Sequence, residues 1–347
     1  MKMLVVGPSP TKSKGGMATV IEEIKNDNEL NRRFDIDIYE SYIDGNKLQV
    51  LFFSLYAFVK FYFTKRNYDI YHVHAASYGS TFRKGWYVYA AKKWGKKVFL
   101  HIHGAEYMIF YNKSKRKKKI ISILKRADKV IVLSPEWKRR FDNTFELENC
   151  VALENGIDEE CLKPAITDPE EHPHVLVSLG RLGQRKGTYD LINAIEIVKE
   201  KIPDVKCYLA GDGEIEKCRD IIQKKNLNDS IILTGWVGFD DKLDLLKKSS
   251  IFVLPSYNEG LPMAILESMA CGKVVISTTV GAIPEVVKAD NGILIQPGDV
   301  NALASAIIKY CNDLQAIRTV GKNNISFIRE NYSMKVMHQR LAEILLG

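Results

Sequence analysis

Residues 251–272 read IFVLPSYNEGLPMAILESMACG. The first six form an apolar run of strand length, and from Pro262 onward the apolar positions Met263, Ala264, Ile265, Leu266, Met269 and Ala270 follow a helical pattern. Proline suits the first turn of a helix, where its missing N–H costs no hydrogen bond. A strand that passes through a glycine-bearing loop into a helix is the repeating unit of a parallel α/β sheet. Two carboxylates interrupt this stretch. Glu259 stands in the loop, and Glu267 lies inside the apolar helix, where a charge is costly without a partner.

The same unit recurs on both sides. In the first half, strands are predicted at KMLVVG (2–7), FDIDIYES (34–41), YDIYHVHA (68–75), KKVFLHIHG (96–104) and DKVIVLS (128–134). Helices are predicted at MATVIEEIKND (17–27), TFRKGWYVYAAKKWG (81–95) and KRKKKIISILKRA (115–127). The alternation pauses after CVALENGID, and EECLKPAITDPEEHPH (159–174), acidic and with three prolines, reads as a linker. It resumes with strands at 175–182, 205–211, 230–236, 251–256 and 274–278, separated by helical segments. The tail segments 300–313 and 333–346 are helical. The expected organisation is two Rossmann-like, doubly wound α/β domains, 1–165 and 166–330, facing across a cleft. A C-terminal helix, 331–347, returns toward the first. In such sheets ligands bind at the carboxyl ends of the strands.

Composition narrows the class. The chain has 347 residues, 46% hydrophobic and 27% charged, which is ordinary for a globular protein. Six cysteines without CxxC spacing argue against a zinc ribbon or a disulfide framework and for reduced thiols in the cytoplasm. The net charge of +8 is unevenly placed, because residues 112–126 hold eight bases and no acid. Upstream, LFFSLYAFVKFYFTKR (51–66) is aromatic and aliphatic, yet shorter than the ~20 residues a spanning helix needs. It reads either as a core helix or as a helix whose apolar face meets lipid, with the basic run nearby. No nucleic-acid motif is present, so the expected partner of these two runs is a membrane surface.

Several residues carry chemistry. GRLGQRKG (180–187) places Arg181, Arg185 and Lys186 at a strand's carboxyl end and before a helix, a setting for a diphosphate. Arg185 is the more solvated of the three. Gly260 allows close backbone approach. The amides of Leu261, Met263 and Ala264 can then point at phosphate or sugar oxygens, and Glu259 can accept from hydroxyls. Glu267, on a helix face with the small residues Ala264 and Cys271, can accept from two vicinal hydroxyls such as those of a ribose. A structural ion pair is its alternative. GPSPTKSKGG (7–16) lacks both the GxGxxG and the Walker spacing, and fits a loop closing on phosphate or acceptor. LAGDGE (209–214) reads as a turn. His72 and His74, and likewise His101 and His103, form His-x-His pairs that share a strand face. No suitably spaced third ligand is evident, so no metal site is expected, and His103, at a strand end, is the candidate for a ligand contact.

Taken together, EGLPMAILE, GRLGQRKG, LAGDGE, LTGWV and the Gly-Gly after the first strand resemble the retaining glycosyltransferases of family four, which have the GT-B fold and include bacterial capsule and lipopolysaccharide transferases. The resemblance spans nearly the whole chain and is strongest over 175–300. It implies a retaining hexosyltransferase that moves a sugar from a nucleotide sugar, with UDP the expected nucleotide, to a saccharide or lipid-linked saccharide in cell-surface polysaccharide synthesis. The setting would be the cytoplasm or the inner face of the plasma membrane. Arg181 and Lys186 would clamp the diphosphate, Glu267 the ribose, and Glu259 with residues 260–264 the sugar. Gly16 would approach phosphate or acceptor, His103 would touch the sugar, and Val237 would touch the base. The resemblance implies no cofactor and no essential metal. A sugar-nucleotide epimerase or hydrolase, or a non-catalytic nucleotide-sugar-binding partner, are the alternatives.

Overall fold

A computed structural model describes the chain except residues 11, 12, 14, 15 and 105 and the side chains of residues 16 and 47. The chain divides into two compact units, Met1–Asn155 with Lys335–Gly347, and Gly156–Met334.

The first unit runs β1 (Lys2–Pro8), α1 (Gly16–Asn26), α2 (Asn28–Arg33), β2 (Asp35–Tyr42), α3 (Lys47–Thr64), β3 (Ile70–Ala75), α4 (Gly79–Lys93), β4 (Lys97–Ile102), α5 (Tyr107–Lys113), α6 (Lys117–Arg126), β5 (Lys129–Val132), α7 (Pro135–Phe145) and β6 (Cys150–Ala152). The second runs α8 (Glu159–Leu162), β7 (Val175–Leu179), α9 (Thr188–Lys201), β8 (Lys206–Ala210), α10 (Ile215–Lys224), β9 (Ile231–Gly235), α11 (Phe239–Lys247), β10 (Ile251–Leu254), α12 (Met263–Ala270), β11 (Val274–Thr278), α13 (Ile283–Val286), β12 (Gly292–Ile295), α14 (Val300–Cys311) and α15 (Leu314–Asn331). The last helix, α16 (Met334–Leu346), rejoins the first unit, where His338 pairs with Asp27 and Arg340 with Glu154.

Each unit holds a six-stranded parallel sheet, ordered β2-β1-β3-β4-β5-β6 and β12-β11-β10-β7-β8-β9. A parallel sheet with helices on both faces buries its inner strands, so β10 and β11 are buried throughout, whereas the edge strand β2 leaves Asp35 and Asp37 exposed. In the second unit, Leu176, Val253 and Ile276 join the core beneath α9 and α14, while their neighbours Val177, Phe252 and Val275 join the core beneath α12. In the first, Leu4, Val6, Val73 and Leu100 pack with Phe61, Tyr87 and Phe141. The alternate positions, His72, His74 and His101 among them, face the other side.

Residues 159–174 are not a loose linker. They form α8 and two 3-10 turns, and Leu162 and Ala165 are buried in the second unit's core. Ile157 also bridges to Ser333. These contacts assign 156–165 to the second unit rather than the first. Pro262 is the residue capping α12, one position earlier than expected.

Helix α3 begins with a reciprocal cap, in which Asn46 Oδ1 accepts from the Gln49 amide at 2.9 Å and Gln49 Oε1 from the Asn46 amide at 3.0 Å. One side is core, with Ala57 and Phe61 buried. The opposite side exposes Leu48, Leu51, Phe52, Leu55, Tyr56, Val59 and Phe63. Among the described residues, no helix is long and apolar enough to cross a membrane.

Candidate functional site

In the second sheet, β7 is followed by β8 and β9 on one side, and β10 then returns to β7's other side. The strand order therefore reverses between β7 and β10. At such a point the loops leaving the two strands diverge and leave room for a ligand. The loop after β7 is residues 180–187, and the loop after β10 is residues 255–262.

Glycines hold the first of these loops against its neighbours. Gly187 has φ +69° and caps α9, and a Cβ there would lie 2.0 Å from the Pro255 carbonyl oxygen. Gly211 has φ +156°, and its Cβ would meet the Gly180 carbonyl oxygen at 2.0 Å. The LAGDGE turn thus supports the 180–183 backbone, with Leu182 donating to Asp212 at 2.7 Å and Glu214 to Leu182 at 3.0 Å. The two main loops are joined by the Tyr257 amide, which donates to the Arg185 carbonyl at 2.9 Å.

On this frame Lys186 and Glu259 meet. Nζ lies 2.6 Å from Oε1, and the side chains are 15% and 8% exposed. Ser256 Oγ donates to the same carboxylate oxygen at 2.8 Å. Arg185, half exposed, donates to the Asn258 carbonyl at 3.2 Å and lies 3.7 Å from Glu259 Oε1, so it is tethered as well as solvated. Arg181 is exposed at the mouth of the loop. The Gly260 carbonyl accepts from the Ala282 amide at 3.0 Å, which fixes the turn that leads into α12. Leu261 and Pro262 are buried, and Met263 and Ala264 are half-buried in its first turn. The first amides of a helix have no intrahelical acceptor, so this turn offers donors to an anion or a hydroxyl oxygen.

Glu267 sits one helical stretch further on, 2.7 Å from Lys242 Nζ of α11, both about one-fifth exposed. The partner of the unexplained charge in the helix is thus a lysine 25 residues upstream. Sequence reasoning did not find Lys242, because no local pattern links the two. Val237 lies in the loop between β9 and α11, half-buried against the α12 core. The site gathers Lys186, Glu259 and the 260–264 turn; Arg181 borders them, and Lys242 and Glu267 extend along α12.

The first unit carries the other predicted residues. Gly16 opens α1, whereas Gly15 lies outside the described residues. His103 follows β4, with its amide donating to the Ala75 carbonyl at 2.9 Å. Its Nε2 lies 2.9 Å from His74 Nδ1. The expectation that a third ligand is lacking beside the His-x-His pairs is corrected here. Strands β3 and β4 pair in register with His74 opposite His101, so the two pairs lie side by side. Burial pushes the His72 and His103 imidazoles down to about 3 and holds those of His74 and His101 well below the usual range, so all four are neutral at neutral pH. Nearby, Lys84 is buried with its ammonium on Ser41 Oγ, and burial lowers it to about 7.

Comparison with known proteins adds a family. Residues 173–313 match the model of Glycosyl transferases group 1, and residues 18–160 match that of Glycosyltransferase Family 4. An uncharacterized glycosyltransferase of Methanocaldococcus jannaschii is 30% identical over 233 residues, 67% of this chain and 63% of the relative. A putative colanic acid biosynthesis glycosyltransferase of Escherichia coli, WcaL, is 27% identical over 64% of this chain and 57% of its own length. The matched part of the chain thus spans less than two thirds of either relative. Among solved structures, Anabaena HepE in complex with UDP gives a TM-score of 0.79 at 19% identity, covering 99% of both chains. Sucrose-phosphate synthase from Thermosynechococcus elongatus gives 0.77 at 20%, covering 99% and 98%. At these identities the likeness establishes the GT-B fold.

Proposed function

We propose, for a chain that belongs to the group 1, family-four glycosyltransferases, that it moves a sugar from a nucleotide sugar to a saccharide or lipid-linked saccharide during cell-surface polysaccharide synthesis. The observation that carries this reading is the Lys186–Glu259 pair at the strand-order reversal, a cation and an acceptor fixed side by side. A donor's diphosphate lies along the 180–187 loop, met by Lys186, Arg181 and the first amides of α9. Its ribose reaches Glu267, which exchanges part of its bond to Lys242 for two hydroxyls, and Val237 flanks the base. The transferred sugar lies against Glu259 and the 260–264 turn.

Positive charge fixed beside the leaving diphosphate stabilises the charge that develops as the glycosidic bond breaks. We favour retention of configuration by front-face attack, with the leaving phosphate accepting the acceptor's proton and no metal required. The capsule and colanic acid names of relatives in Staphylococcus aureus and Escherichia coli support a polysaccharide product.

The exposed apolar side of α3 supports docking on a membrane surface. Both α3 and α6 pack on α4, so the bare lysines of 113–119 lie on the same side of the sheet as the apolar stripe.

A thermal-shift screen of UDP-, GDP- and ADP-sugars tests the donor. The UDP bound in HepE makes UDP-sugars the first to try. A bound donor raises the midpoint by mass action, and transfer to an acceptor is then followed directly. No shift with any nucleotide sugar overturns the reading. Turnover without an acceptor would instead mark a hydrolase or epimerase.

A further inference from the structure

Four of the seven histidines meet on one face of the first unit's sheet. His72 and His74 project from β3, and the strand register sets His101 of β4 directly beside His74. One ring nitrogen from each of these three lies within 4.8 Å of the other two. The three side chains are 2% exposed or less. Five of their six ring nitrogens have no hydrogen-bond partner: both of His72, both of His101, and Nε2 of His74. The sixth, His74 Nδ1, is engaged by His103. A buried polar atom left unpaired costs about 1–3 kcal/mol, and native interiors hold few of them. Here five are gathered in three adjoining rings, and one nitrogen from each ring approaches the others.

We propose that His72, His74 and His101 form a binding site for a divalent transition-metal ion of the zinc class. A His-x-His pair on one strand with a third histidine in register on the next gives three convergent nitrogens and leaves a fourth position open for water. Imidazole donors select zinc, cobalt, nickel or copper over magnesium and calcium, which take oxygen. His74 fits the role of an oriented ligand, because His103 engages Nδ1 and leaves Nε2 to point at the ion. His103 itself is only half-buried. None of the three ligands belongs to the donor loops, although His103, which the family resemblance sets against the sugar, is in contact with His74.

The test uses the full chain without a histidine tag, stripped with a chelator and titrated with Co²⁺, then Zn²⁺. One equivalent of Co²⁺ should give the visible d–d absorption of a low-coordinate histidine site and be displaced by Zn²⁺, while Mg²⁺ does nothing. Zn²⁺ should raise the thermal midpoint. His72→Asn and His101→Asn should each weaken binding by about 100-fold or more, beyond the ~10–100-fold that losing an outer partner costs. His172→Asn should leave binding intact. Absence of Co²⁺ binding to the wild type, or unchanged binding in folded His72→Asn and His101→Asn, overturns the proposal. X-ray absorption of the zinc-loaded wild type needs no variant: three imidazoles are expected, and one or none overturns it.

Discussion

Lys186 Nζ and Glu259 Oε1 lie 2.6 Å apart, on loops that leave two adjacent parallel strands, and neither side chain is more than 15% exposed. An ion pair so placed holds two loops in register and leaves both groups pointing at the same space.

Removing either member should abolish most transfer while the fold persists. Glu259→Gln and Lys186→Ala are each expected to lower kcat/KM by about 10²–10³-fold, the scale of one lost charge-stabilising contact. Lys186→Ala should also cost about 1–3 kcal/mol of stability, because it strips the carboxylate of its main partner. Steady-state kinetics on the identified donor, with urea denaturation alongside, separates the two effects. Near-normal turnover in both variants contradicts the site.

Gly187→Ala should be the most damaging glycine change in the 180–187 loop. It combines φ +69° with a Cβ placed on the Pro255 carbonyl oxygen. Gly95 has φ +72° and open space around it, so Gly95→Ala carries the backbone strain alone, about 1 kcal/mol. Denaturation of both variants is expected to show a clearly larger loss at 187, together with weakened nucleotide binding.

Phe52→Ser and Phe63→Ser should leave stability within about 0.5 kcal/mol, since these side chains are 68% and 72% exposed and support no core. If α3 rests on lipid, the double variant loses flotation with anionic liposomes that the wild type shows at low salt. Equal flotation of the two proteins removes α3 from the membrane reading.

Lys273 is 2% exposed, with its ammonium donating to Thr167 Oγ1 at 3.2 Å, and burial lowers its pKa to about 8 from the ordinary 10.5. Between those values the unfolded chain binds a proton that the folded chain does not, so stability rises with pH across this window. The gain is lost as pH falls through 8. Lys273→Met should therefore stabilise the protein at pH 7 by up to about 3 kcal/mol. The difference between variant and wild type should shrink as pH approaches 10. A pH-independent difference would show that burial does not hold the amine down.

Much of this was legible from local pattern. The strands flanking the site are unbroken apolar runs, and the glycines at 180, 183 and 187 sit where the backbone takes positive φ. Strands β6 and β12 went unread because each is a short strand at a sheet edge, with fewer buried apolar positions than the interior strands β5 and β10 of similar length. Helix α15 was missed for another reason. Gly321 and Asn324 look like breakers, yet Gly321 packs on the Gly272 backbone and Asn324 donates to the carbonyls of Lys273 and Asn291. Tertiary contacts override the local preference there. The stretch 51–66 is apolar all round, so composition left open whether it serves core or surface. In the structure one side of α3 serves the core and the other remains exposed.

Helix α16 has a consequence for synthesis. The second unit is one continuous segment, Gly156–Met334, but the first is completed only by Lys335–Gly347. As the chain leaves the ribosome, the first sheet emerges early and waits for its last helix until all of the second unit has been made. The usual order, in which the N-terminal domain finishes first, is thereby reversed. Until residues 335–347 have emerged, Asp27 and Glu154 lack the His338 and Arg340 partners that they hold in the finished fold.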